Sequence, residues 1–366
     1  MQTFQQMTEM GHERLVFCSD PEVGLQAVIA IHSTVLGPGL GGARMWPYAS
    51  LDEAVVDVLR LSRGMTYKAA ATGINLGGAK AVLIGDPKRD KSETLMRAFG
   101  RFVDSLGGAY ITAEDVGTDT EDMDRVAVET EWVTGVSPEH GGAGDPSPVT
   151  AFGVLQGIRA SAQRLWGSPA LAGRSVAIQG LGSVGGYLAG YLVDEGAKLF
   201  GCDIDAEAAA RAAERGVEIV APEQIYDVAC DIFAPCALGA ILNDRTLPRL
   251  KVKAVAGGAN NQLEDGDRHG RELAARGILY APDFVINAGG LIHVYNELIG
   301  YRPERAKRMA RGIYDNVLRA YAIAERDGIP PSEAGDRMAE ERIAAVRRLA
   351  PRHWDRAVLA RFARRR

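Results

Sequence analysis

Apolar positions recur along this chain with two periods, and their alternation sets out an α/β protein. Residues 25–32, Leu-Gln-Ala-Val-Ile-Ala-Ile-His, read as a strand. Positions 51, 54, 55, 58 and 59 follow helical spacing, and Ser50 with Glu53 predicts a capping box in front of them. A short strand over 81–85 and a helix over 92–106, closed by Gly107 and Gly108, come next. Residues 110–117, Tyr-Ile-Thr-Ala-Glu-Asp-Val-Gly, carry a strand straight into paired acids, with Thr118 and Glu121 predicted to cap the following helix.

Residues 141–148, Gly-Gly-Ala-Gly-Asp-Pro-Ser-Pro, are rich in turn formers and read as a hinge before a long amphipathic helix with Pro148 in its first turn. The domain boundary is therefore expected at 147/148. Beyond it, residues 175–185 run strand, glycine loop, helix, and Gly180, Gly182 and Gly185 make G-x-G-x-x-G. A second strand ends at Asp203, 18 residues after Gly185. Such glycines let a pyrophosphate approach the helix N-terminus, where free N–H groups and the dipole favour anions. Asp203 would take the ribose hydroxyls. The alternative is a tight strand–helix turn that holds no ligand.

Apolar strands then alternate with helices, at 231–234, 254–256 and 278–280. The loops at their carboxyl ends, 235–239, 257–261 and 287–290, should face a cofactor, and Asn260 and Asn261 offer uncharged donors and acceptors there. Asparagines after glycines are also ordinary turn formers. Residues 303–348 are strongly helical, broken once by Gly328-Ile-Pro-Pro.

Composition narrows the class. The 366 residues suffice for two domains, and a net charge of -5 disfavours a nucleic-acid binder. No uncharged apolar run reaches the ~18 residues of a membrane span, and the polar start has no apolar signal core. The four cysteines form no C-x-x-C pair and have no clustered histidines, so reduced thiols in a cytoplasmic protein without a metal site are expected. The last 20 residues hold eight arginines and one aspartate, a solvated helix face, a frayed end or a subunit contact.

The candidate chemistry lies at residues 65–80, which hold Lys68 and Lys80 with no acid between them. Burial and a like charge both lower a lysine pKa, so two lysines in a cleft would bind an anion and provide a general base. Two solvated surface lysines are the plainer alternative. Residues 36–44 read as a glycine-rich loop in which Gly41 and Gly42 would present N–H groups to a ligand or simply form a turn. Asp115, at a strand end, would meet the cationic end of a substrate or help polarise a helix start.

These motifs together resemble the amino-acid dehydrogenases of the glutamate/leucine/phenylalanine/valine family. The resemblance runs from about residue 13 to residue 346. It is carried most specifically by IAIHSTVLGPGLGGARMW, GMTYKAA, NLGGAK, YITAEDVGT, DPSPVTA, AGGANNQL and APDFVINAGG. It implies an α/β fold of two domains flanking a cleft. Residues 1–147 would form a substrate-binding and oligomerisation domain and 148–330 a Rossmann-type NAD domain. Residues 331–366 would be a helical segment returning to the first.

The resemblance further implies reversible, NAD-dependent oxidative deamination of a branched-chain L-amino acid to a 2-oxo acid and ammonia, by a homo-oligomer. Lys80 would be the catalytic base and Asp115 a proton carrier. Lys68 would bind the α-carboxylate, with Gly41, Gly42 and Asn261 as further substrate contacts. Leu40, Ala113, Leu291 and Val294 would line the side-chain pocket, and apolar residues at 40 and 294 disfavour glutamate. NAD would lie on Gly180, Leu181, Gly182, Ser183, Val184, Gly185, Gly186 and Asp203, with Thr150 at the nicotinamide carboxamide and Asn260 nearby. Two positions depart from the common pattern: Leu291, where valine is frequent, and Ala69, where asparagine is. The first narrows the pocket toward valine. A valine- or phenylalanine-preferring member and an inactive NAD-binding sensor are the alternatives.

Overall fold

Residues 3–349 are described by the structure, a computed structural model. They form two compact units. One takes the residues up to Gly144, Val294–Tyr301 and the described residues from Ala339; the other takes Asp145–His293 and Arg302–Met338. The sequence predicts one crossing at 147/148 and a separate segment from 331. Of the three later crossings, those at 293/294 and 338/339 fall inside the helices Gly289–Leu298 and Pro331–Arg347, where composition carries no boundary signal, and the one at 301/302 falls in the short connection before Pro303–Arg311.

The first unit is built on a mixed sheet ordered Arg14–Asp20, Leu25–Ser33, Gly77–Ile84, Gly39–Leu40, Tyr110–Ile111, with Ala43–Trp46 also on Gly77–Ile84. The first two junctions are antiparallel and the others parallel. The helix Leu51–Ala71 covers the sheet, packing Ala54, Val55, Val58 and Leu59 against Val28, Ala30 and Val82. Each such valine or leucine is worth about 1.5–3 kcal/mol when fully buried.

Local signals differ from expectation at several points. Ser50 Oγ accepts from Glu53 N at 3.2 Å, but the Glu53 carboxylate takes the N–H of Ala49, so the box closes one residue early. Asp119, not Thr118, caps the helix Thr120–Ala127, because its carboxylate and that of Asp122 satisfy each other's backbone N–H groups. The expected loop at 36–44 contains two short strands, Gly39–Leu40 and Ala43–Trp46. The strand expected at 81 begins at Gly77, which puts Lys80 within it. Glycine permits that start: a Cβ at Gly77 would lie 2.0 Å from Ser33 O, and one at Gly78 would lie 2.1 Å from Thr66 N.

The second unit holds a parallel sheet ordered Leu279–Tyr280, Ala254–Val255, Ile232–Pro235, Ser175–Gln179, Lys198–Cys202, Glu218–Ile219. Counted along the chain, this is the doubly wound order of dinucleotide-binding domains, with its switch point beside Ser175–Gln179. The helices Ser147–Trp166 and Ile313–Asp327 are tied by the buried Ser161 and Tyr321 hydroxyls, 2.7 Å apart. The helical stretch at 303–348 has two breaks, at Gly312 and at Gly328, whose φ of 66° ends a helix in the left-handed region. Most of the arginine-rich tail lies outside the described residues.

Candidate active site

Lys80 sits mid-strand and is only 7 % exposed. Its ammonium is ion-paired with the Asp115 carboxylate. The acid absent from residues 65–80 is thus supplied by the loop after Tyr110–Ile111. Thr118 holds that loop: its Oγ1 donates to Ala43 O at 2.8 Å and accepts from Asp115 N at 2.9 Å. Gly42 lies against the same loop, since a Cβ there would fall 2.4 Å from Glu114 O and 2.9 Å from Asp115 Cβ. Gly41 is equally tight, 1.8 Å from Ala79 O by the same measure. Its N–H donates to Ile111 O at 3.2 Å, so the expectation that Gly41 offers this group to a ligand is corrected: sheet pairing uses it. The structure therefore brings Gly41, Gly42, Lys80 and Asp115 together through backbone approaches only glycine allows.

Sequence patterning missed Arg44. Its Nε lies 3.4 Å from Asp115 Oδ2 and its Nη1 lies 3.0 Å from Asp57 Oδ2, which also accepts from Tyr48 OH at 2.7 Å. Burial lowers the Lys80 pKa most; Asp115 opposes that, and Arg44 adds to it. Arg44 is thus a like charge that acts on Lys80. For Asp115, burial favours the neutral acid, but the Lys80 ammonium and then Arg44 outweigh it and hold the carboxyl below its usual range. The pair combines a firmly ionised acid with a lysine that gives up its proton more readily than usual.

Lys68 is half-buried in the last turn of Leu51–Ala71, the helix that meets the Lys80 strand at Gly78. Its carbonyl accepts from Thr72 N and from Thr72 Oγ1 at 2.8 Å. Leu40 is buried, pairing in register with Gly78 and Ile111, and Ala113 O accepts from Ala43 N. Leu291 and Val294 lie one turn apart on Gly289–Leu298, Leu291 in the second unit and Val294 in the first. The same helix carries Glu297, another residue without a sequence signal. Its buried carboxylate accepts from Thr134 Oγ1, Gly135 N and Ala143 N at 2.7–3.0 Å, fixing the chain before the first crossing.

In the second unit the glycine loop fits a dinucleotide on geometric grounds. Gly180 has φ +92°, and a Cβ on Gly185 would lie 1.9 Å from Gly180 O, so both are needed for the turn. A Cβ on Gly182 meets nothing within 4 Å, and Gly182 caps the helix Ser183–Asp194 without a side chain, leaving the helix end open to an anion. Leu181 N donates to Asp203 Oδ2 at 2.6 Å and Asp205 N to Asp203 Oδ1 at 2.9 Å, so Asp203 is locked onto the loop it should serve. A groove of about 450 Å³ runs along Gly182, Ser183, Gly186 and Asp205, and Arg211 and Arg215 line it too. Val184 opens that helix beside Gly258, whose Cβ would lie 3.1 Å from its side chain.

Thr150 Oγ1 donates to Pro146 O at 3.0 Å, and Gly289 and Gly290 pack against it. Asn260 Oδ1 accepts from Asn287 Nδ2 at 2.7 Å. Asn261 has φ +48° and Ala240 has φ +56°, and Asn261 O accepts from Ala240 N at 2.7 Å. Two loops at strand ends are thus laced together in uncommon backbone conformations, as functional loops often are. Among the described residues no group of three or more His, Cys, Asp or Glu could hold a metal, and no helix is long and apolar enough to cross a membrane.

Comparison with known proteins bears on both units. Residues 12–132 match the family described as Glu/Leu/Phe/Val dehydrogenase, dimerisation domain, and residues 204–345 match Glutamate/Leucine/Phenylalanine/Valine dehydrogenase. A leucine dehydrogenase from Thermoactinomyces intermedius is 58% identical over 349 residues, 95% of each chain. A valine dehydrogenase from Streptomyces virginiae is 53% identical over 341 residues, 92% of this chain and 95% of the other. The crystal structure of an L-tryptophan dehydrogenase from Nostoc punctiforme is similar with a TM-score of 0.87 at 45% identity, over 94% of this chain and 100% of that one.

Proposed function

The chain belongs to the Glu/Leu/Phe/Val dehydrogenase family, and from that premise we propose that it is a leucine dehydrogenase. It catalyses the reversible oxidative deamination of branched-chain L-amino acids to 2-oxo acids and ammonia. The observation that carries this reading is the buried Lys80–Asp115 pair beside Gly42, in a chain that matches leucine dehydrogenases over nearly its whole length. A nicotinamide cofactor follows from the family, and Asp203 on the glycine loop supports NAD. The dimerisation-domain match supports assembly with copies of itself. The first unit is assigned to the substrate and the second to the cofactor.

Lys68 holds the substrate carboxylate, leaving the α-carbon to react near Lys80. The α-ammonium would give up one proton, and a nicotinamide, when bound, would supply the hydride acceptor for the α-carbon, leaving an iminium. Lys80, kept from holding its proton by burial and Arg44, removes a proton from the water that attacks this carbon. Asp115, ionised at rest, takes the proton that the substrate ammonium sheds before hydride loss and returns it to the nitrogen of the resulting carbinolamine. The C–N bond then breaks, ammonia departs, and the hydroxyl proton is lost to leave the 2-oxo acid. Leu40, Ala113, Leu291 and Val294 are assigned to the substrate side chain, and Asn261 to its polar end. Leu291 also favours a second reading, a preference for valine, because it is larger than the residue common at that position.

The test is a panel of initial rates with NAD. Leucine, isoleucine and valine should lie within about tenfold of one another, since each buried methylene is worth ~0.8 kcal/mol, roughly three- to fourfold in specificity. Alanine and glutamate should fall well below. A preference for glutamate would contradict the pocket assignment, and no reduction of NAD with any amino acid would contradict the activity.

A further inference from the structure

We propose that Arg342 is a positioning residue for substrate binding: it clamps the end of the helix Leu51–Ala71 and thereby fixes the turn that presents Lys68. Its Nη1 donates to Ala69 O and Ala70 O, both at 3.1 Å, and to Ile74 O at 2.8 Å. Its Nη2 donates to Gly73 O at 3.0 Å and to Asn75 Oδ1 at 2.7 Å. Ala69 O and Ala70 O also accept from Ile74 N and Gly73 N, respectively, and the guanidinium adds donors where the helix dipole ends negative. A guanidinium suits them because its donors spread in a fixed plane, which an ammonium cannot match.

The clamped carbonyls are those of the two residues that follow Lys68 and of the turn leading to the Lys80 strand. Glu340, from the same helix Pro331–Arg347, accepts from Tyr67 OH at 3.1 Å. Arg63 donates to that hydroxyl at 2.8 Å and stacks on the ring at 4.1 Å. The residue before Lys68 and the carbonyls after it are therefore both held by one distant helix. Capping alone would stabilise the fold. The consequence for function is that Lys68 binds through a flexible four-carbon stem, so its reach depends on where the helix end holds its Cα. A misplacement of about 1 Å at such a site costs on the order of 10²-fold.

This proposal rests on the assignment of Lys68 to the substrate carboxylate, and the experiment separates the two. Full-length Arg342→Ala, Arg342→Lys and Lys68→Ala are compared with the native chain for KM and kcat toward L-leucine and for NAD affinity. Arg342→Ala should raise KM for leucine about ten- to hundredfold. Its kcat should change little, NAD binding should be unchanged, and Arg342→Lys should recover only part of the loss. A loss confined to the fraction of active protein, with KM unchanged, overturns the proposal. If Arg342→Ala does not fold, Asn75→Ala removes one contact of the Arg342 guanidinium and Glu340→Ala removes the acceptor of Tyr67 OH. A KM raised in both at constant kcat supports the proposal, and an unchanged KM in either overturns it. If Lys68→Ala itself leaves KM unaltered, the Lys68 assignment fails first.

Discussion

Lys80 and Asp115 form an ion pair on the sheet of the first unit, and Arg44 approaches the same carboxylate oxygen to 3.4 Å. The arrangement is asymmetric. Two cations share one carboxylate, Asp57 holds the outer cation, and the inner one is the more deeply buried. The proton on Lys80 is therefore the weakly held one.

The pH dependence follows from this. With Lys80 proposed as the base, the deamination rate should rise through a group titrating below the ~10.4 of a free lysine. The value belongs to the coupled pair. Arg44→Met removes the cation that opposes a charge on Lys80, so the rising limb should move to higher pH, and Arg44→Lys should restore it in part. A limb that stays in place or moves down in Arg44→Met would contradict this account. The measurement is kcat/KM for leucine against pH.

Cofactor choice gives a second expectation. Asp203 should repel a 2′-phosphate, and without it Arg211 and Arg215, which line the adjacent groove, would attract one. Asp203→Ala should weaken NAD binding, because the carboxylate also anchors Leu181 N, and should raise kcat/KM with NADP about tenfold or more. Equal efficiency of the native protein with NAD and NADP would contradict the assignment.

Much of this was legible in the sequence where chemistry and local spacing coincide. Gly180, Gly182 and Gly185 between a strand and a helix mark the candidate dinucleotide loop: Gly180 and Gly185 answer local backbone demands, and Gly182 leaves the helix end bare. The remaining partners are tertiary. Arg44, Asp57 and Arg342 look like ordinary surface charges in the chain, and only the packing of the sheet and of Pro331–Arg347 shows what they hold. Apolar patterning starts the Lys80 strand only at 81, because Gly77 and Gly78 have no side chains to show that they already pair in it, crowded by Ser33 and Thr66. Thr118 reads as a cap because threonine before a helix usually is one; Asp119, one residue on, competes better for the free N–H groups.

The most direct test of the central claim is the kcat of Lys80→Ala with L-leucine and NAD. General acid–base groups contribute about 10²–10⁴-fold, so kcat should fall by that amount while NAD, assigned to the other unit, still binds. A folded Lys80→Ala protein that binds NAD and keeps near-native kcat would show that the Lys80–Asp115 pair is not the catalytic centre.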